Sequence, residues 1–368
     1  MMLGVYRTKV DQGRRSVSDV FVDANKPSLP LLVTGLGGVP GYNAFHYFRG
    51  LYGEQVIGVR QPNMWPLKGD GVRACDLGDL GAVRSLFDEF GFRSVLNTVG
   101  SCRLKSCELD PEMAHRVNVL GTENVAQVMK DRDCRLIHLS IDLVYAGREG
   151  GNYEECDHPD PVTVYGAKMV EAEGIVRAAV ENSLVLRISL PMGISFNGHA
   201  GAIDWIASRF RQGKPATLYF DEVRTPTYTD CMNRLFHRLF GETLTGLYHA
   251  GGGRPLSLYE IAQVVNVVGG YDPNLLVGCP RIEAGPMPPR AGNVTLNSDR
   301  LRDAIGGVWE DPWPLIDEAV PESRDWHLHH RFDGAGEDLV HQLLYQNPSK
   351  PCAVPPNRNT LWGGTRFH

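Results

Sequence analysis

The 368-residue chain contains no apolar run approaching the ~20 residues that a bilayer span needs, which argues against a membrane partner. It has no dense Lys/Arg stretch, and its net charge is −6, so nucleic acid and anionic surfaces are poor candidates as partners. No Cys-x-x-Cys pair occurs. The eight cysteines, at 75, 102, 107, 134, 156, 231, 279 and 352, are scattered, which reads as reduced thiols in a cytoplasm, most of them buried as small hydrophobes. His327-x-His329-His330 lacks a second cluster of Cys, Asp or Glu at fitting spacing, so no metal site is expected. Residues 1–16 lack the apolar core of a secretion signal, and no internal repeat is found.

What is present is a chain of 42% hydrophobic residues, enough for one large domain or two modest ones. Its organising stretch is Leu31 to Gly41: a short apolar run, a glycine-rich turn, then Phe45, Phe48 and Leu51 at helical spacing. Strand, glycine turn and helix together are the context of a dinucleotide site. Gly35 allows the tight exit from the strand, Gly38 lets backbone approach a pyrophosphate, and Gly41 lets the helix pack closely. The N-terminus of the helix expected over about 40–52 offers N–H groups to phosphate, and Pro40 suits the first turn.

The pattern continues with strands at 56–59, 72–75, 94–99 and 135–140, and a sixth at 184–188. Asp79 is a helix cap ahead of Leu80 to Phe90, and Asp110-Pro111 opens a long helix carrying Val117, Leu120, Val125 and Val128. A further helix is expected over 162–181. Alternation at this spacing predicts an α/β fold: a Rossmann-type, doubly wound parallel sheet covered on both faces. Beyond the sixth strand, helices near 201–213, 228–241 and 257–269 form a smaller, more helical lobe, the last opened by the capping box Ser257…Glu260. The expected divisions are an extension at 1–28, a nucleotide-binding domain at 29–190, a substrate lobe at 191–307 interleaved with the sheet, and a second extension at 308–368. Trp326, Trp362 and the prolines around them predict that this last segment packs on the body or on a neighbour.

Several segments in order resemble the extended short-chain dehydrogenase/reductases. They are Thr34-Gly35-x-x-Gly38-x-x-Gly41, Asp76-Leu77, Asn97, Arg116-x-Asn118, Tyr165-Gly166 and Arg187-x-Ser189. Within that family the chain is most similar to the dTDP-4-dehydrorhamnose reductases and their sugar-nucleotide-binding relatives. That similarity rests on Ser140 to Tyr145, on Arg224-Thr225-Pro226-Thr227-Tyr228 and on Pro289-Arg290. It covers roughly residues 30–306.

The resemblance implies NADP or NAD as cofactor, with Gly35, Gly38, Val39, Gly41, Arg60, Asp76, Leu77, Asn97, Tyr165 and Pro191 around it. It implies a sugar nucleotide or similar polar metabolite as substrate, with Asn118, Arg224 and Arg290 near it and with Arg187 as a third arginine able to converge on a diphosphate. Arg60 ends the second strand, where arginine accommodates the 2′-phosphate of NADP and a carboxylate would favour NAD. In the family, a tyrosine exchanges a proton with the substrate oxygen while nicotinamide carries hydride; a lysine four residues on and a Ser/Thr at the end of strand five assist it.

Here Tyr165 is kept, but Met169 stands at the lysine position and Ile141 at the Ser/Thr position. A thioether carries no charge and a sec-butyl group donates no hydrogen bond. Lys168, rotated by about 100° around the helix, and Asp142 are the candidate substitutes. Three readings follow: a weak oxidoreductase, a non-catalytic nucleotide-binding subunit of a partner enzyme, or an isomerase or lyase using bound cofactor. A homodimer is the other assembly the reading allows.

Overall fold

Leu31, Leu32 and Val33 are fully buried and form β1 (Leu31–Val33) of a computed structural model that describes residues 26–64 and 66–350. The expected extension at 1–28 lies almost wholly outside the described residues, as do Cys352 and Trp362. After the glycine turn comes α1 (Val39–Tyr52), which presses Tyr42, Phe45 and Phe48 onto one sheet face. Burying a phenylalanine in this way contributes about 2–3 kcal/mol. Then follow β2 (Val56–Arg60), β3 (Val72–Ala74) and α2 (Leu80–Phe90). Asp79 caps α2 by accepting from Gly81 and Ala82 N–H, as its sequence position predicts.

Beyond β4 (Ser94–Asn97) the structure departs from the long helix expected at Asp110. A short helix not foreseen, α3 (Leu104–Leu109), comes first. Asp110 then caps α4 (Pro111–His115), a π-turn spans Arg116–Leu120, and α5 (Gly121–Met129) completes the run. Apolar periodicity cannot reveal one residue of extra winding, which is why the expectation missed it. π-turns inside helices are frequent at functional sites. Next come β5 (Arg135–Ile141), α6 (Val164–Ala179), capped by Thr163, and β6 (Ser183–Ile188).

The second lobe holds β7 (Pro191–Met192), α7 (Ala202–Arg211), β8 (Ala216–Tyr219), β9 (Val223–Arg224), β10 (Thr227–Tyr228) and α8 (Thr229–Gly241). The chain then returns to the main sheet as β11 (Gly246–Ala250) and leaves again through β12 (Leu256–Ser257) and α9 (Leu258–Val268). Ser257 and Glu260 complete the expected capping box. Last are β13 (Leu276–Cys279), α10 (Asp299–Ile305), α11 (Trp326–His329) and α12 (Glu337–Val340).

The main sheet is seven-stranded, in the order β11-β6-β5-β4-β1-β2-β3, with all its pairings parallel. Its near-continuous apolar strands are buried on both faces, as a doubly wound sheet requires. Val83, Phe87, Val125 and Val176, from α2, α5 and α6, cover one face; α1, α8 and α9 cover the other. Among the described residues no helix is long and apolar enough to cross a membrane, and none of the seven described cysteines is in a disulfide.

The glycine turn gives a direct test of this packing. Gly35 has φ +69°, and a Cβ at Gly41 would lie 2.5 Å from the Gly35 carbonyl oxygen and from Thr98 Oγ1. At Gly38 the nearest atom is 3.5 Å away. Gly41→Ala is expected to lower unfolding stability by about 1–3 kcal/mol, and Gly38→Ala by clearly less, as read by denaturant unfolding of the two variants side by side.

Candidate functional site

The carboxyl ends of β1, β4, β5 and β6 meet the second lobe, where open α/β sheets bind ligands. At the β1–α1 turn, Gly38 N–H closes the loop onto the Gly35 carbonyl at 2.9 Å. Pro40 has no N–H, so Val39 and Gly41 carry the amides of the first turn on either side of it. A Cβ at Gly38 would meet only ordinary van der Waals contacts, with the Gly35 carbonyl oxygen at 3.5 Å and Pro40 Cδ at 3.8 Å, which fits a backbone approach by a phosphate.

Asn97 and Thr34 tie the neighbouring strand ends together. Thr34 Oγ1 donates to Asn97 Oδ1 at 2.7 Å, and Asn97 Nδ2 donates to Thr122 Oγ1 at 3.2 Å and to His138 Nδ1 at 3.0 Å. The π-turn organises the next segments. Arg116 pairs with Asp76 at 2.6 Å, while Asn118 Oδ1 accepts from Ser101 N–H at 2.7 Å and its Nδ2 donates to the Ala114 carbonyl. Asn124, six residues on in α5, donates to the Leu77 carbonyl at 2.8 Å. Asp76, Leu77, Asn97 and Asn118 therefore sit on one scaffold. Arg60 folds over its own loop, donating to the carbonyls of Gln61 and Pro62, and its Nε is buried with no partner among the described residues. Pro191 lies in β7, paired with Thr227 in β10.

Tyr165 stands in the first turn of α6 within an apolar cluster of Leu143, Val144, Met169 and Leu296, with Ile141 at its edge. Its side chain is buried, 6% exposed, and the apolar cluster surrounds its ring. Burial pushes the phenol well above its ordinary range; Cys102 and Asp142 push the same way, and Arg224 pulls back. Met169 is buried beside it and supplies no charge. Lys168 is turned aside and held by Glu171 at 2.8 Å.

Asp142 is buried and receives Arg224 through both Nε, at 2.6 Å, and Nη2. Ser189 Oγ donates to the same carboxylate at 2.5 Å. An acid so engaged is a structural anchor, not a base directed at a substrate. The expected convergence of three arginines on a diphosphate is not found. Arg187, within β6, is held by Glu173, at 2.7 and 2.8 Å, and by the Tyr145 hydroxyl at 2.6 Å. Arg224 is neutralised by Asp142. Arg290 alone is part-exposed, lying over the Tyr219 ring with Glu222 at 3.7 Å. Buried carboxylates, invisible to motif reading, claim the other two guanidinium groups.

Cys102 was missed among the scattered thiols. It lies on the segment that Asn118 anchors, and burial pushes its thiol up, with Arg103 and Arg224 pulling back. Cys107, in α3, is buried and contacts the Ser101 carbonyl at 3.4 Å. The signal was available: both cysteines follow β4, on the segment leading away from Asn97.

A family model described as the RmlD substrate binding domain matches residues 30–319. The chain is 28% identical over 310 residues to dTDP-4-dehydrorhamnose reductase of Mycolicibacterium smegmatis, covering 82% of this chain and 87% of that protein. It is 26% identical over 270 residues to methionine adenosyltransferase 2 subunit beta of Xenopus laevis, covering 70% and 76%. In fold it is similar to dTDP-4-dehydrorhamnose reductase of Bacillus anthracis, solved in complex with NADP. That match has a TM-score of 0.67 and 19% identity, and covers 77% of this chain and 95% of that one.

Two buried histidines behind the site make stability depend on pH. His138 and His249 are both held down to about 4 by burial. Each is neutral when folded and takes up a proton on unfolding below its ordinary value of about 6.5. Their contribution is thus fully present above pH ~6.5 and is lost as pH falls towards 4, at on the order of 1 kcal/mol per pH unit for each. Denaturant unfolding across this range should show the decline, and His249→Asn should make it shallower.

Proposed function

Because the chain belongs to the RmlD substrate binding domain family, we propose that it binds a nicotinamide dinucleotide on the β1–α1 turn and a sugar nucleotide, or a similar polar metabolite, in the adjoining cleft, with keto-reducing chemistry strongly attenuated. The observation that carries this reading is the setting of Tyr165. The side chains packed around it are Met169, Leu143 and Ile141, while Lys168 is paired elsewhere.

A nicotinamide cofactor supplies hydride when bound. The protein must supply the proton and its timing. A phenol raised by burial, with no ammonium beside it, holds its proton tightly and gives little general-acid help near neutral pH. Gly35, Gly38, Val39 and Gly41 would hold the pyrophosphate, with Asp76, Leu77 and Asn97 along the adenosine side and Pro191 at the nicotinamide end. Arg60 at the end of β2 supports NADP over NAD. Asn118 would act on the substrate side by positioning the segment at Ser101, and Arg290 would meet the substrate's anionic portion. Arg224 would contribute by fixing Asp142 and the wall beside Tyr165.

The same apolar replacements favour a second reading, a nucleotide-binding subunit that modulates a partner enzyme. A relative whose name is that of an adenosyltransferase subunit supports it. The two readings share the cofactor site and differ in turnover.

Gly38→Asp should abolish NADP binding while the fold persists, because a Cβ there meets no protein atom nearer than 3.5 Å while the carboxylate would repel the pyrophosphate. Calorimetry with NADP and NAD on this variant and the unmutated chain checks it. The unmutated chain should prefer NADP, and Arg60→Ala should erase most of the preference.

Single-turnover hydride transfer, followed by nicotinamide absorbance with a dTDP-4-dehydro sugar, should be very slow or absent. Met169→Lys with Ile141→Thr should raise it, and the two changes should be non-additive because both act on one oxygen. Rapid transfer by the unmutated chain would overturn the attenuated-reductase reading.

A further inference from the structure

The segment that follows the family match reaches back to the dinucleotide turn through a chain of buried hydrogen bonds. Residues 320–350 dock on the second lobe. Trp313, just before them, is fully buried and donates Nε1–H to the Leu344 carbonyl at 3.0 Å. Tyr228 donates to the Leu343 carbonyl at 2.7 Å, and Asn347 N–H is received by Asp230 at 2.8 Å. These contacts deliver Tyr345, whose hydroxyl donates to Asp204 Oδ1 at 2.6 Å.

Asp204 is buried in the first turn of α7. Its other oxygen accepts from Ser195 Oγ at 2.5 Å and from Ser195 N–H at 3.1 Å. Ser195 belongs to the connection from Gly193 to Gly201, which lies on α1. Asn43 Nδ2 donates both to the Ile194 carbonyl, at 2.8 Å, and to the Val39 carbonyl, at 2.7 Å. A Cβ at Gly201 would come within 2.8 Å of Val39 Cγ2. The same connection thus touches Asp204 at one point and the first residue of α1 at another.

We infer that Tyr345 is a positioning residue: through Asp204 and Ser195 it holds the 193–201 connection against the first turn of α1, and so sets how tightly the β1–α1 turn retains a dinucleotide. The inference rests on the dinucleotide reading of that turn. Gly193, Gly198 and Gly201 give the connection large freedom to lose on ordering. A ligand that needs the ordered form binds more weakly as the ordered fraction falls. The brace keeps that fraction high before the ligand arrives.

Tyr345→Phe keeps the buried ring and removes one hydrogen bond to a carboxylate. Amide hydrogen exchange on the ligand-free protein should be faster in 194–201, with the thermal unfolding midpoint nearly unchanged. NADP should bind roughly three- to tenfold more weakly by calorimetry. Ser195→Ala should act likewise and non-additively with Tyr345→Phe. Lys350→Ala, which removes an exposed pair with Asp311, should alter neither readout. Unchanged exchange in 194–201 would overturn the brace. Faster exchange with unchanged NADP affinity would overturn its link to the turn. If the unmutated chain binds neither NADP nor NAD, the dinucleotide reading falls and the link with it, while hydrogen exchange still decides the brace.

Discussion

The arrangement of the cleft depends on one buried ion pair, the fork of Arg224 on Asp142. Asp142 follows β5 in the main sheet, and Arg224 belongs to β9 in the second lobe. The pair therefore fixes the two parts of the protein against each other at the edge of the site. Ser189, after β6, donates to the same carboxylate and accepts from Thr225 N–H at 3.0 Å, so a second strand end is joined to the same point. Removing one partner of such a pair strands a charge in a dry setting, at a cost of about 3–5 kcal/mol. Behind it, Glu173 and Arg187 form a second pair that Ser140 and Tyr145 complete. Together these contacts explain why charged residues line the site's back wall and yet present little charge to the cleft.

Much of the sheet and its flanking helices was legible because their causes are local. An apolar run reads as a buried strand, Asp79 and Ser257 announce helix starts, and Gly35 and Gly41 stand where a Cβ would strike backbone or a packed side chain. The site was legible in part. The turn, Asn97, Asn118 and Tyr165 lie near the carboxyl ends of the strands, as their order implies. What could not be read is which partner each long polar side chain chooses. Arg187 and Arg224 looked like anion ligands because the carboxylates that claim them lie 14 and 82 residues away in the chain. The π-turn was hidden for another reason: it changes the winding of a helix without altering the apolar stripe that identifies it.

The substitutions at 141 and 169 acquire meaning from their surroundings. Leu143, Val144, Met169 and Leu296 belong to one apolar cluster around the tyrosine ring, so Met169 is part of a largely apolar wall. An ammonium placed there would need a partner that the cluster does not provide.

The return of the chain to the sheet as β11 has a mechanical consequence. The second lobe is not appended to the nucleotide-binding half; much of it is spliced between two adjacent strands, β6 and β11, which pair along their whole length. Two anchored crossings leave no single swivel. The lobe has the freedom of a flap sewn along one edge, not of a door on a pin, and large sweeping excursions would have to tear strand pairing. Changes in cleft width must come instead from the short segments between the crossings and the lobe's own helices, where small displacements suffice to admit or retain a ligand.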